Sequence, residues 1–568
     1  MEERIWEFAN IDTGHVQELI EEAAVTRPVA LVLAARNVDV TEVHSFLNPD
    51  IANIGDPYLL PGTKEAAERL WQAICDEELI VIHGDYDTDG ITASALLASI
   101  LRKNGARVEC YLPHRIDDGY GLTVESITRA AKEGCGLLLT VDCGITSHEA
   151  AAAALQYGLD LIITDHHTPD LEKLNALAVV DPKLPGAPPE TTELAGVGVA
   201  YKVAQAFLKK GRELGYDCDE GELLRCLDLA ALGTVADIVP LLHENRILVH
   251  EGLKTLASQH RPGIHALCGI AGIGEGLQTS DITYRLAPRI NATGRMGDPT
   301  DGLHLLEAES IVEANQLART LDELNKQRQL IEEEVVRNAE EQIKKRYDLD
   351  SARSIVVWND GWHQGVVGIV ASRLTRRYHR PSIVLTRDSN GQFTGSARSI
   401  RKLNLITVLD ECAGTLARFG GHAMAAGLSL NEDKLEEFSD QFDAAVQKTL
   451  GIESMKPLLN ICGEVALAEL DEVFFHELQM LEPFGHGNPE PVFYSRHVSS
   501  DRLLSAGNSH TRGTMKDESG THIQFIAFGR VPESFPPAPW DIVYSPQINR
   551  FNGNATPQLR ILDVVSSR

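Results

Sequence analysis

Residues 78–113 read ELIVIHGDYDTDGITASALLASILRKNGARVECYLP, and three shorter runs follow: CGLLLTVDCG at 135–144, LDLIITDHH at 159–167 and LAVVDP at 177–182. Short apolar runs alternate with helical stretches, which is the βαβ pattern of a largely parallel, doubly wound α/β sheet. Sheets of this kind bind ligands at the carboxyl ends of their strands. Three of those ends carry acids or imidazoles: HGDYDTDG after the first strand, VDCG after the third and TDHH after the fourth.

The loop His83-Gly-Asp85-Tyr-Asp87-Thr-Asp89-Gly90 places alternate carboxylates on a short turn. Hard oxygen donors at that spacing suit a divalent cation. A calcium-binding EF-hand is excluded, because a strand precedes the loop and a helix starts at once, with no glutamate closing a twelve-residue loop. Asp142 ends LLLTV, Asp165, His166 and His167 end LIIT, and Asp237 follows the apolar helix of LGTVADIVP. Both imidazoles reach one site only if the chain has already left the strand, which Thr168 and Pro169 permit. A mixed nitrogen and oxygen donor set points to manganese, with magnesium as the alternative. The ligands suffice for two ions, and a pair roughly 3.5–4 Å apart activates water for in-line attack on a phosphate ester. Neither G-x-S-x-G nor G-x-x-x-x-G-K-[ST] occurs, which argues against a serine hydrolase and a P-loop nucleotide hydrolase.

Outward from this segment, the 568 residues require several domains. Residues 1–76 are expected to pack on the core, and 77–306 to form the metal-bearing domain. Glu307 to Tyr347 is free of Gly and Pro, with Leu317, Leu321, Leu324, Ile331 and Val335 at helical spacing. It predicts one long, mostly solvated connecting helix over 307–347. SIVVWN and PSIVLT open a second α/β domain at 348–452, and THIQFIAFG, WDIVYSPQI and QLRILDVV predict an OB-like β-barrel at 453–568. No apolar run is long enough for a membrane span, the opening MEERIWEFAN lacks a signal core, and the nine cysteines form no C-x-x-C pair. A cytoplasmic protein is expected.

HGDYDTDG, VDCG, TDHH and TVADIVP resemble, in order and spacing, the four metal-binding motifs of the DHH phosphoesterase superfamily. FLNP near the N-terminus, LAPRINATGR at 286–295, GWHQGVVGIVASRL, GSARS and FGGHAMAAG extend the likeness to its bacterial single-strand-specific 5′ to 3′ exonucleases. The resemblance implies a DHH domain, a long helix, a DHHA1-type domain and an oligonucleotide-binding barrel. It implies two bound divalent cations, with Asp87, Asp89, Asp142, His166, His167 and Asp237 as ligands and Asp85 as ligand or neighbour. His83 matches a metal histidine of related pyrophosphatases, and Asp165 is expected to orient an adjacent imidazole. Arg289, Asn291 and Arg295, Ser396 and Arg398, Gly420, Gly421 and His422, and more weakly Arg115, are the implied substrate contacts, arginine suiting phosphate by its planar fork. Implied partners are single-stranded DNA, single-strand-binding protein and a repair helicase, and a monomer is the default.

The net charge of −30 argues on its face against nucleic acid, yet Gly361–Lys402 holds eight Lys or Arg residues and one acid, Asp388. A basic channel in an acidic exterior would admit single strands, with Arg376 and Arg377 contributing and Phe493, Tyr494, Phe525, Phe528 and Tyr544 as base-stacking candidates. Two other readings stay open on these residues: a phosphodiesterase for short oligonucleotides or cyclic dinucleotides, or a pyrophosphatase, and a non-catalytic replication or repair scaffold. The scaffold reading predicts missing ligands, and none of the six is missing.

Overall fold

The computed structural model describes residues 4–114, 121–274, 276–451, 455–507, 509–551 and 554–567. The chain divides into two compact units. The larger comprises Arg4–Asn291, Pro299–Ala318 and Leu458–Arg568; the smaller comprises Ala292–Asp298 and Arg319–Pro457.

In the larger unit, strands β1 (Leu79–Gly84), β2 (Arg107–Tyr111), β3 (Cys135–Val141), β4 (Asp160–Thr164) and β5 (Ala178–Val180) form one sheet. Its order is β2-β1-β3-β4-β5 and every pairing is parallel. The strand order reverses between β1 and β3, which makes their carboxyl ends the topological switch point where such sheets bind ligands. Val81, Leu138, Leu161 and Ile163 turn one face toward helices Val124–Lys132 and His148–Tyr157. On the other face Ile80, Ile82, Leu137 and Leu139 are fully buried. Helix α1 (Thr88–Lys103) is buried on nearly every side, as its Ala- and Leu-rich sequence predicts, and packs against α2 (Gly196–Glu213) and α3 (Leu227–Ala236).

One continuous helix, α4 (Ile311–Arg346), spans 36 residues, about 54 Å at 1.5 Å per residue. It starts later than its composition suggested, because Ala308–Ser310 separate it from a short helix at Thr300–Glu307. It is also less solvated than expected. In the smaller unit Val335, Val336, Ala339 and Ile343 of α4 share a core with β6 (Ile355–Asn359) and α5 (Val367–Tyr378). Strands β7 (Ser382–Arg387), β8 (Phe393–Arg398), β9 (Arg418–Gly421) and β10 (Ala425–Leu430) complete a sheet of order β9-β10-β8-β7-β6, in which only β6 and β7 run parallel.

The C-terminal part of the larger unit is a seven-stranded sheet of β11 (Gly463–Glu464), β12 (Phe493–Val498), β13 (Leu503–Ala506), β14 (His510–Lys516), β15 (His522–Ala527), β16 (Trp540–Phe551) and β17 (Asn554–Ser566). Its order is β11-β12-β16-β17-β15-β14-β13, and a bridge between Ser499 and Lys516 curls it on itself. The N-terminal segment does not pack on the α/β core as a whole. Val16, Leu19, Val29, Leu33, Val43 and Leu47 lie in the core of this β domain beside Phe474 and Trp540, and strand Ile5–Phe8 pairs with Leu458–Ile461. Only further along does the segment meet the parallel-sheet domain, where the buried Lys202 and Glu244 grip Gly55. The base-stacking expectation is corrected too. Phe493, Tyr494, Phe525 and Tyr544 are at most 7% exposed, whereas Phe528 is 56% exposed. Alternation along the strands turns Phe493, Phe525 and Tyr544 into the core of the β domain, while Tyr494, on the opposite face of β12, is covered by Trp6 and Phe8 of the N-terminal strand. No helix among the described residues is long and apolar enough to cross a membrane.

Candidate metal centre

Two acids of the loop at 83–90 are anchored by main-chain amides. Asp87 caps α1, its Oδ1 accepting from the amides of Asp89 and Gly90 at 2.9 and 3.2 Å, a contact worth about 1 kcal/mol to a helix. Asp89, one residue into α1, in turn caps α2: its carboxylate accepts from the Gly196 and Val197 amides at 2.7 and 2.8 Å. The amide and hydroxyl of Thr88 donate to Asn291 Oδ1 at 2.8 and 2.9 Å, tying the loop to helix Ala287–Met296. Asn291, expected among the substrate contacts, therefore commits its oxygen to holding the loop. Gly90 sits so close to Asp85 that a Cβ there would lie 2.6 Å from its backbone.

Asp142 leaves β3 with a positive φ of 60°, a strained conformation for a residue with a side chain. It is wedged against α2, where a Cβ on Gly196 would come within 2.6 Å of its own Cβ. After β4, Asp165 is buried beneath the turn it begins. Its Oδ1 accepts from the amides of His166 and His167 and lies 2.7 Å from His167 Nδ1, while Oδ2 accepts from Ile145 N. Asp237 stands at the C-terminal end of α3, where a negative charge is disfavoured by the helix dipole.

These elements bring seven side chains together in three overlapping groups whose ligand atoms lie within 4.8 Å of one another: Asp85, Asp87 and Asp142; Asp142, His166 and His167; and Asp89, His166 and Asp237. His83 joins none of them. It lies within β1, with its ring against Tyr111 and Nε2 3.4 Å from Gly121 O.

Burial, followed by the charges of Asp237 and Asp87, pushes the Asp89 carboxyl well above the usual range despite the two amides it accepts. Asp142 rises likewise through burial and four neighbouring carboxylates, and Asp237 is pushed up to about 7 by burial and Asp87. The two histidines move in opposite directions. Burial and the charge of His167 lower His166 to about 3, leaving a neutral imidazole. Burial also lowers His167, but the Asp165 hydrogen bond and surrounding carboxylates outweigh it and hold it up at about 9.

A divalent cation fits this arrangement. Asp142 Oδ1 and His166 Nε2 are buried, lie 3.2 Å apart and make no hydrogen bond, with Asp237 Oδ2 3.6 Å from the same nitrogen. Bare buried polar atoms cost about 1–3 kcal/mol each unless a partner meets them. Carboxylates crowded against a neutral imidazole form a donor set for a divalent cation.

Three family models match the chain. Residues 79–234 match the DHH family N-terminal domain, 352–448 the DHHA1 domain and 461–563 the RecJ OB domain. The single-stranded-DNA-specific exonuclease RecJ of Bacillus subtilis is 38% identical over 99% of this chain and 71% of its own length. The chain belongs to the RecJ family. The RecJ of Dickeya dadantii is 38% identical over 91% of this chain and 92% of its own. Among solved structures, Thermus thermophilus RecJ in complex with Mn2+ superposes with a TM-score of 0.84 at 29% identity, covering 99% of this chain and 80% of that one. A RecJ bound to manganese gives 0.60 at 34% identity over 70% and 98%.

The other RecJ-like motifs fall in both units. Arg289, in the larger, donates to Arg285 O at 2.5 Å in the π-helical turn Ile282–Leu286 that leads into its helix. In the smaller, Arg295 donates to Gly365 O at 3.0 Å, in the turn before α5. A Cβ on Gly368, in the first turn of α5, would lie 3.2 Å from both Ser396 Oγ and Arg398 Nη2, so these two side chains of β8 cover the start of that helix. Gly420, Gly421 and His422 form the tip of the β9–β10 hairpin, with Gly421 at φ 146°. Arg115 lies outside the described residues. The basic stretch is corrected in part: Arg373 pairs with Glu332, Arg377 with Glu340, and Arg387 with Asp360 and Glu432, while Arg380 donates to the carbonyls of Ala352, Tyr378 and Leu349. Reading the sequence alone missed Gly196 and Val197, whose only signal is a Gly-rich helix start at AGVGVAYK.

Proposed function

We propose that this chain is a metal-dependent exonuclease that hydrolyses single-stranded DNA from the 5′ end to mononucleotides, in recombinational and mismatch repair in the cytoplasm. One observation carries the reading: donor side chains converge at the switch point of the DHH sheet, in a chain alike over almost its full length to proteins named single-stranded-DNA-specific exonucleases.

Asp85, Asp87, Asp89, Asp142, His166, His167 and Asp237 would hold two divalent cations, Mn2+ ahead of Mg2+ because two of the seven donors are imidazoles. Bound there, such ions supply water activation and charge stabilisation for in-line displacement at a phosphodiester. The protein's own part is to keep the donors in the right state and direction. Asp165 fixes the tautomer and tilt of His167, as hydrogen-bonded carboxylates do for metal histidines. Burial keeps the His166 lone pair unprotonated. Arg295, Ser396 and Arg398 gather near the start of α5, where helix amides favour phosphate, and are assigned the 5′ end of the strand, with Gly420, Gly421, His422 and Arg289 as further backbone contacts. Single-strand-binding protein and a repair helicase are the proposed partners of a monomer.

The test is digestion of single-stranded DNA labelled at the 5′ or the 3′ end, with Mn2+, Mg2+ or chelator. Immediate release of the 5′ label as mononucleotide, dependent on metal and lost in Asp142→Ala and His166→Ala, is expected. Survival of long strands while two- to five-residue oligonucleotides are cut would move the assignment to small substrates, and binding without cleavage would revive the scaffold reading.

A further inference from the structure

The fifth strand end of the DHH sheet carries chemistry that none of the three donor groups uses. Beyond β5 the chain turns at Asp181-Pro182-Lys183. Asp181 is fully buried; its Oδ1 accepts from Lys183 N at 2.7 Å, its main-chain oxygen accepts from Leu184 N at 3.2 Å, and its Oδ2 makes no hydrogen bond. The turn is thereby closed on a buried acid, and the Lys183 side chain leaves it in a set direction. Its ammonium donates to the main-chain oxygen of His166.

That oxygen belongs to the residue on which the donor groups depend most. His166 takes part in two of the three, and its Nε2 lies 3.2 Å from Asp142 Oδ1 and 3.6 Å from Asp237 Oδ2. The amides of His166 and His167 are already held by Asp165 Oδ1, at 2.7 and 3.1 Å, and Asp165 N is in turn held by Val180 O at 3.0 Å. With Lys183 on the carbonyl, the peptide groups on both sides of the His166 Cα are fixed, so the imidazole is aimed by a clamped backbone and not by its rotamer alone. A charge-assisted hydrogen bond is the stronger kind for such a clamp. The same charge is felt at His166 and Asp237, as its closeness requires.

We propose that Lys183, directed by the buried Asp181, is a positioning residue of the metal centre, clamping the main chain of His166 so that its imidazole meets the cation. The inference rests on the reading of this site as a divalent-metal centre. The Lys183 ammonium is engaged by the main-chain oxygen of His166, so a role through that clamp predicts that its loss appears in metal affinity and in kcat, with KM for the strand unmoved.

The experiment uses the full chain, stripped of metal, with Lys183→Met, Lys183→Gln and Lys183→Arg. Mn2+ binding is followed by calorimetry, and kcat and KM are measured on a single-stranded oligonucleotide. Lys183→Met should weaken Mn2+ binding about tenfold and lower kcat by a similar factor at constant KM, within the range seen when groups supporting a metal ligand are removed. Lys183→Arg, which keeps a cationic donor, should recover most of both. Lys183→Gln should show the same losses as Lys183→Met, should the latter fold poorly. Unchanged Mn2+ affinity in Lys183→Met and Lys183→Gln overturns the proposal, and so does tighter binding, which would mean that the lysine acts only by repelling the cation. If the unaltered protein binds no Mn2+, the metal-centre reading itself has failed and takes this proposal with it; binding by the unaltered protein with no change in the variants sinks the clamp alone.

Discussion

Two regions of this molecule concentrate charge of one sign, and the fold treats them in opposite ways. At the ends of β1 and β3 the carboxylates of Asp89 and Asp142 crowd together and are pushed upward by burial and by neighbouring carboxylates, and Asp237 at the end of α3 rises with them. Along α5 and β7 three arginines of the basic stretch meet acids of α4 and neighbouring loops: Arg373 with Glu332, Arg377 with Glu340, Arg387 with Asp360 and Glu432. Equal density of charge in sequence therefore has unequal meaning. The uncompensated cluster is the one that demands an external partner, and the paired arginines largely serve the fold.

The contrast is broken most severely by removing a donor. Asp142→Ala should lower kcat about a thousandfold, the scale on which a charge-stabilising contact at a reacting centre is lost, and steady-state digestion of single-stranded DNA measures it. Next comes crowding. Gly196→Ala places a Cβ 2.6 Å from that of Asp142; such overpacking typically costs about 1–3 kcal/mol, and a displaced donor should cost roughly a hundredfold in kcat, read from melting and turnover of the same sample. Asp165→Asn leaves the turn in place but weakens its grip on His167 Nδ1, and Mn2+ affinity by calorimetry should fall about 10- to 100-fold. The smallest effect belongs to the other region. Arg377→Ala removes a partner of Glu340 at the surface, where an exposed pair contributes about 0–1 kcal/mol, so strand affinity by fluorescence anisotropy should stay within about twofold, whereas Arg398→Ala should weaken it about tenfold.

The convergence of the donor side chains was legible in the sequence because strand periodicity fixes where a strand ends, and all of them but Asp237, at a helix end, stand just after those ends. The parallel sheet and the long helix were legible for the same periodic reason. What escaped depends on approach between distant segments. Gly196 matters because Asp142, 54 positions earlier, is pressed against it. Arg377 looked available because its partner, Glu340, lies on another helix. Phe493, Phe525 and Tyr544 looked like a stacking platform because composition cannot say which side of a strand faces the core, and all three turned inward. His83 shared a motif with three aspartates but remains in the strand, beside Tyr111.

The central claim, that the crowded cluster is a divalent-metal centre, is tested most directly by melting the chelator-treated protein with and without Mn2+ at pH 5.5 and pH 8. Asp237, pushed up to about 7, and Asp89 and Asp142, raised well above their ordinary value, bind protons more tightly folded than unfolded. Their contribution to the metal-free protein is complete below their unfolded values near 4 and is lost as pH climbs through the folded ones, so the metal-free protein should weaken between pH 5.5 and 8. His167, held up at about 9, loses its contribution in the same direction, starting near its ordinary value of about 6.5, while His166, lowered to about 3, acts oppositely only up to about 6.5 and is outweighed by the four raised groups. Mn2+ competes with those same protons and should bind more tightly over the same interval. The account predicts a Mn2+-induced rise in Tm that is small at pH 5.5, large at pH 8, and absent in Asp142→Ala. A Tm indifferent to Mn2+ at pH 8, or an equal rise in Asp142→Ala, would contradict it.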